Sequence, residues 1–415
     1  MKIRIVSISF IAILFSTIFP SVWIVTAKVA NGKETIIGLQ PGQNTTKVNS
    51  FSYNVVLNIS NNNRTSADPQ IDISGNNTYV VWSDDSPGNP DIFFTKSTDG
   101  GNTFSDRPIN LSNNSGLSSN PVLSVCGSNV YVAWHDDTYE SFDIFFAKST
   151  DGGNTFSKPI KLTQSANNII VDSEFPSIAS FENDVYLVWQ KNSTGFFDVL
   201  LKKSTDGGNT FSDRPINLSN NSGNSAYPKI AVHGNTSYVV WEDNSTGSFD
   251  ILLKKSTDGG NTFSDRPINL SKNKGNSSDP EVFSDNKNDI FVVWDDDSPG
   301  TADIFFTKST DGGKTFSKPV NLSNNTRGSF DPVLAISKNH IYVAWDDDSP
   351  GNADILFTKS TDRGNSFSIK PINLSKNVGR SLYPDVAVSR SNNSYIVWSD
   401  DTPGNYEVLL LRNVR

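Results

Sequence analysis

The stretch Ser97-Thr98-Asp99-Gly100-Gly101-Asn102-Thr103-Phe104 decides the fold, because the same eight positions return at Ser149–Phe156, Ser204–Phe211, Ser256–Phe263, Ser309–Phe316 and, altered, at Ser360–Phe367. Each octet has the chemistry of a tight hairpin. Glycine accepts positive φ without steric cost, and an Asp carboxylate accepts the backbone N–H groups of its own turn. Ser and Thr hydroxyls add short side-chain to backbone bonds, and the closing Phe supplies an apolar anchor. Six copies make the hairpin a structural repeat first, with Asp99, Asp151, Asp206, Asp258, Asp311 and Asp362 as its structural acids.

Seven tryptophans set the period around these hairpins: Trp82, Trp134, Trp189, Trp241, Trp294, Trp345 and Trp398, spaced 51 to 55 residues apart. Each unit reads as four short strands. The first follows a proline, as at Pro69–Ser74 or Pro332–Ser337. The second is the apolar run ending at the tryptophan, such as Tyr79–Trp82. The third leads into the octet, as Asp91–Lys96 does, and the fourth, Pro108–Ser112, alternates like a half-exposed edge. Four antiparallel strands at this period predict one blade of a β-propeller. From tryptophan to octet is 15 residues, and from Trp398 that offset reaches Asn413, two residues before Arg415. The seventh unit is therefore short by one strand. Leu57-Asn58-Ile59-Ser60 stands alone before the first unit and matches Ile109–Ser112, so it is predicted to complete the seventh blade and close the ring. The expected fold is an all-β, seven-bladed propeller over residues 51–415.

The octets resemble the Asp box, the bacterial neuraminidase repeat of the sialidase-like propellers. The resemblance implies a propeller whose Asp boxes lie away from its active site. Sialidases have six blades, and the seven counted here depart from them. For a sialidase the resemblance would require three arginines on the substrate carboxylate, a Tyr–Glu nucleophile pair and an Asp acid. The Arg-Ile-Pro motif of that family is absent here and no Tyr–Glu pair can be placed, so no catalytic residue is assigned.

Composition narrows the function. A formal net charge of −9 disfavours a nucleic-acid partner. Residues 1–27 carry Lys2, Arg4 and a long apolar run ending in Val25-Thr26-Ala27, which reads as a signal peptide or an N-terminal anchor. Its removal would take the charge to −11. Residues 28–50 read as a flexible tether. These features predict an exported or cell-surface protein, monomeric, meeting a membrane only through such an anchor. The single Cys126 reads as a buried, inert thiol. Sequons recur at Asn110, Asn217, Asn269, Asn321 and Asn373, where they permit N-glycosylation on the outer rim.

Candidate binding residues fall on the face made by the second-to-third loops and the blade crossings. Acids repeat two, three and nine residues after the tryptophan, among them Asp84, Asp85, Asp91, Asp296, Asp297, Asp303, Asp347, Asp348 and Asp354. They read either as turn chemistry or as oxygen ligands for Ca²⁺, the one cofactor considered. Departures from the repeat point to ligand contacts. They are His135, Tyr139 and Glu140 in the blade-two loop, Glu174 and Phe175 before blade three, and Tyr227 and Tyr383 before crossing prolines. Arg64, Arg327 and Arg380 sit at the crossings into blades one, six and seven, neighbours in a closed ring, and could converge on a carboxylate. The leading expectation is a non-catalytic binding or adhesion module for extracellular glycans or proteins. The alternatives are an exo-sialidase-type hydrolase and a structural envelope protein.

Overall fold

The computed structural model describes residues 23–26, 36–39, 56–163, 171–192, 195–285 and 287–412. The chain divides into two units, Met1–Asn54 and Val55–Arg415. In the first, Trp23–Thr26 and Ile36–Leu39 pair as an antiparallel hairpin. The rest of residues 1–27, expected to be an export segment or anchor, and of residues 28–50, expected to be a tether, lies outside the described residues.

Among the described residues the second unit is all β, with seven four-stranded antiparallel sheets. Blade one runs from an inner strand Ser66–Ser74 through Asn77–Asp84 and Asp91–Ser97 to an outer strand Ile109–Asn110. Blade seven takes three strands from the C-terminal end, Ser381–Val388, Ser394–Asp400 and Glu407–Arg412, and its outer strand from Val56–Asn58. Val56 lies opposite Leu411, Leu57 opposite Leu410 and Asn58 opposite Leu409. The ladder continues with the Ile59 N–H donating to the Val408 carbonyl at 2.8 Å. The chain is a seven-bladed β-propeller, closed as its two ends predict.

Burial explains the apolar second strands. The seven blade tryptophans are at most 1 % exposed, and each hydrophobic cluster mixes residues of two successive blades. Trp134 of blade two packs with Tyr79, Val81 and Phe94 of blade one. Across the closure, Ile71 and Trp82 pack with Val397, Val408 and Leu410. The core is thus a ring of blade-to-blade interfaces, each strand face covered by a neighbour.

The octets fold as hairpins and also clamp adjacent blades. Asp99 Oδ1 accepts from the Ser97 hydroxyl at 2.7 Å and from the N–H groups of Asn102 and Thr103 at 2.9 and 3.0 Å. These bonds, led by Ser97, hold the exposed Asp99 carboxyl down at about 2. The lysine before each of the first five octets ties one blade to the next. Lys96 Nζ donates to the Gly152 carbonyl at 2.7 Å, and Lys148 Nζ to that of Gly207 at 2.8 Å. At the closure Arg412 donates to Gly100 and Asn102. The octet Phe also anchors on the preceding blade, Phe156 meeting Phe94 edge-on at 4.8 Å. In the altered sixth octet Arg363 takes the first glycine's left-handed conformation, φ 59°, while its guanidinium bridges Asp285 and Asp289 of blade five.

Several expectations need correcting. The outer strands of blades one to six span two residues and that of blade seven three, shorter than the four to five residues expected. The inner strands begin three residues before the proline and pass through it, by a device described below. Cys126 is half-buried, at the end of the blade-two inner strand, so the thiol is free but not enclosed.

Candidate functional site

Proline cannot donate to a sheet ladder, so an inner strand that carries one needs a bulge. In blade one the register jumps from Ala67–Ser83 to Gln70–Val81, leaving one extra residue around Asp68-Pro69. The same jump occurs in blades two to seven. In every blade the residue before the proline is left-handed, with φ between 46 and 53°: Asp68, Asn120, Phe175, Tyr227, Asp279, Asp331 and Tyr383. None is glycine, and the position before proline disfavours helical backbone, so each conformation costs about 1 kcal/mol or more. Seven such bulges ring the axis and bring seven side chains of four types, Asp, Asn, Phe and Tyr, to the lining of one pocket.

The residue directly after the tryptophan holds four of the bulges in place. It is buried in all seven blades, as Ser83, His135, Gln190, Glu242, Asp295, Asp346 and Ser399. In four of them its side chain accepts the bulge N–H of the next blade. His135 Nδ1 accepts from Phe175 at 3.2 Å and Gln190 Oε1 from Tyr227 at 3.1 Å. The carboxylates of Glu242 and Asp346 accept from Asp279 and Tyr383. Because Nδ1 is the acceptor, His135 carries its proton on Nε2, which meets the Ser119 hydroxyl at 2.6 Å. Burial keeps that ring neutral, with its pKa down at about 4.

Together the bulges line an axial pocket of about 540 Å³. Its two sides differ. On the blade two to four side an aromatic arc runs from His135 to Phe175, edge-on at 5.5 Å, and on to Tyr227, 4.6 Å from Phe175. On the other side lie Asp279, Asp331 and Asp68, with Tyr383 beside them. Asp295, Asp346 and Glu242 back this acidic side, and Asp346 shares a hydrogen bond with Asp331. Burial pushes the whole set up, and mutual repulsion adds to it in most: Asp68 to about 6, Asp279 to about 7, Glu242 to about 8, and Asp295 and Asp346 well above the usual carboxylate range. Lys229 is the one cation among the pocket-lining residues. Burial pulls it down, but its ion pair with Glu281 at 3.0 Å and the nearby Asp385 and Asp279 more than offset this. Tyr227 is pushed up to about 12, first by burial and then by Asp279 and Glu242.

The sequence-derived candidates divide. Tyr227, Tyr383 and Phe175 line the pocket. Glu174 pairs with Gln190 just behind it, its carboxyl raised by burial and Asp172. Tyr139 and Glu140 do not line it. Tyr139 is 61 % exposed and stacks on Phe145 under the Lys161 ammonium, while Glu140 closes its turn on the Asp137 carbonyl. His135, expected in that loop, is a strand residue instead. Arg64, Arg327 and Arg380 are exposed on the crossings, outside the pocket, and among the described residues none of them forms an ion pair.

Asp84, Asp91, Asp296, Asp303, Asp347 and Asp354 sit at strand ends and are saturated with donors, whereas Asp85, Asp297 and Asp348 lie just beyond the strands. Asp84 accepts from the Trp82 indole at 2.9 Å, from Ser66 and Asn62 at 2.8 Å and from the Ser86 N–H at 2.9 Å. Asp296 and Asp347 repeat this arrangement. Asp91 takes Asn110 and Ser112 at 2.7 Å, as Asp303 and Asp354 take their counterparts. Asp85 and Asp297 receive crossing N–H groups, and Asp348 bonds through its backbone. At the strand-end acids N–H and O–H donors thus occupy lone pairs that a Ca²⁺ ion would use. Among the described residues no group of three or more His, Cys, Asp or Glu is disposed to hold a metal ion. The sequon amides of Asn110, Asn321 and Asn373 are committed to the same acids.

Neither a family model nor a curated protein matches the chain. Solved structures resemble it in fold. A protein of unknown function from Dyadobacter fermentans is 15 % identical with a TM-score of 0.54, over 87 % of this chain and 99 % of that one. An ulvan lyase of polysaccharide lyase family 25 is 12 % identical at 0.60, over 84 % and 93 %. A Trypanosoma rangeli sialidase variant with trans-sialidase activity is 12 % identical at 0.50, over 88 % and 57 %. The shared property is the propeller scaffold.

Proposed function

We propose that this is a carbohydrate-handling propeller, displayed outside the cell, that binds a glycan end or short glycan segment in its axial pocket. The observation that carries the reading is the lining. Rings from Phe175, Tyr227 and Tyr383 share one concave site of about 540 Å³ with the carboxyls of Asp68, Asp279 and Asp331. Aromatic faces stack on the apolar faces of sugar rings, and carboxylates accept from sugar hydroxyls in pairs. The volume lies in the range of small-ligand pockets and suits one to two sugar units. The likeness to a polysaccharide lyase and a sialidase adds weight at the level of the scaffold. An acidic lining with one already paired lysine disfavours sialic acid and other anionic sugars as the preferred ligand.

A glycan array probed with the mature chain and with Tyr227→Ala tests this. Binding that the substitution weakens at least tenfold, with the fold retained by circular dichroism, is the expected result. Equal array profiles for the two proteins would refute the pocket as the binding site. A hydrolytic role is the second reading, favoured by the hydrogen-bonded Asp331–Asp346 pair, since two carboxyls sharing a proton can divide acid and base duties. Release of reducing sugar from an array hit would decide for it.

A further inference from the structure

Blade three breaks the pattern that the other strand-end acids follow. In six blades the indole N–H of the buried tryptophan donates to the carboxylate two residues on, at 2.8 to 3.4 Å, as Trp345 does to Asp347 and Trp134 to Asp136. Blade three has Lys191 at that position, so an ammonium stands where the acid would be. Trp189 is 1 % exposed, and among the described residues its indole N–H has no hydrogen-bond partner. Leaving a buried donor unpaired is costly, and native folds do so rarely. The same tryptophan lines a cleft of about 150 Å³ between blades two and three. Leu162 and Thr163 wall it from blade two, and Lys191, Leu200 and Lys202 join Trp189 from blade three. On the geometry of the other six blades the Trp189 N–H points towards residue 191, whose side chain shares that cleft. We propose that this cleft is a binding site, separate from the axial pocket, for a small carboxylate that takes the place of the missing acid.

The fold itself shows which group satisfies this indole, since six blades answer it with a carboxylate. In blade three that carboxylate has to come from outside the chain, and the cleft is charged to receive it. Lys202 Nζ spends one of its three N–H donors on the Leu162 carbonyl at 3.0 Å. Burial draws the Lys202 pKa down and Asp213 offsets only part of this, so an incoming anion favours its charged form. Thr163 adds no donor, because its hydroxyl is committed to Asp143 at 2.6 Å. Asp213 also lines the cleft and opposes an anion, but it is exposed, where water and salt screen its charge. The volume equals that of about five waters, which suits a carboxylate of a few carbons.

The indole N–H resonances of the full chain, followed by NMR at pH 7 and constant ionic strength, test this with sodium acetate, neutral acetamide and sodium sulfate as probes. Loss of one signal in Trp189→Phe identifies Trp189, and the six acid-paired indoles serve as internal controls. The expected result is that acetate shifts the Trp189 signal saturably while the acid-paired signals stay in place. Half-saturation should need at least tenfold less acetate than acetamide, and Lys202→Met should raise the acetate requirement at least threefold. Lys191→Asp, which restores the residue of the other blades, should move the signal in among theirs and abolish the acetate response. A Trp189 signal that ignores acetate, as one capped by water alone would, overturns the site, and so does an equal response to acetamide. Tighter binding of sulfate than of acetate overturns the carboxylate in favour of a tetrahedral oxyanion. An acetate response that Lys191→Asp leaves unchanged refutes the replacement of a missing acid. The wild-type titrations decide even if a variant fails to fold, because either substitution at Trp189 or Lys191 identifies the signal.

Discussion

Glu242 gives the acidic half of the pocket a measurable signature in stability. Its carboxyl is 7 % exposed and is raised from 4.5 to about 8, first by burial and then by Asp279. A carboxyl raised on folding binds its proton more tightly in the native state. Its contribution is therefore intact below pH 4.5 and is lost progressively as pH rises towards 8. At about 1.4 kcal/mol per pH unit of displacement, Glu242 costs the native state roughly 3 kcal/mol more at pH 7.5 than at pH 4.5. Glu242→Gln removes the titration, and its amide oxygen can still accept the Asp279 N–H. Many other groups titrate over this range, so the quantity to follow is the difference between variant and wild type. Urea unfolding of both at several pH values should show that difference moving in favour of the variant by about 3 kcal/mol across the window. A difference that stays flat, or that moves against the variant as pH rises, would refute the burial-driven shift.

Two further outcomes follow from the scaffold. A Cβ at Gly153 would lie 2.6 Å from Phe94 Cζ in a left-handed residue, φ 74°, whereas at Gly75, φ 63°, it would meet nothing within 4 Å. Backbone strain of about 1 kcal/mol is common to both, and overpacking against a rigid buried ring adds about 1–3 kcal/mol at Gly153 alone. Gly153→Ala should thus be clearly the worse of the two in urea unfolding, and equal losses would refute the clamp. Removing residues up to Asn58 should expose the Glu407–Arg412 edge and turn the chain towards aggregation, which light scattering would detect. A shortened chain as monodisperse as the parent would show that the closing strand is dispensable.

Legibility followed the range of the forces involved. Asp99 and its five counterparts were readable as turn acceptors because every group they bind lies within four residues. Leu57–Ser60 was readable as the closing strand because the tryptophan-to-octet offset counts strands arithmetically. Glu242, Asp295 and Asp346 were missed although a signal existed. The position after the tryptophan varies through Ser, His, Gln, Glu and Asp within an otherwise constant frame, as a site inside a repeat should. Arg64, Arg327 and Arg380, on three crossings that are neighbours in the ring, are exposed and do not line the pocket, which their sequence positions alone do not reveal.

By itself the sequence settled the strand count, the blade count, the closure and the hairpin chemistry, since period and local turn bonding reside within single blades. Which side chains share the axial pocket was decided only by the tertiary structure. Asp279 and Asp331 come from successive blades 52 residues apart, and their meeting depends on a bulge in each inner strand. The same holds for Asp84 and its repeats. Nothing local distinguishes a carboxylate awaiting a cation from one already taken by an indole, a hydroxyl and an amide, until the neighbouring crossing is folded against it.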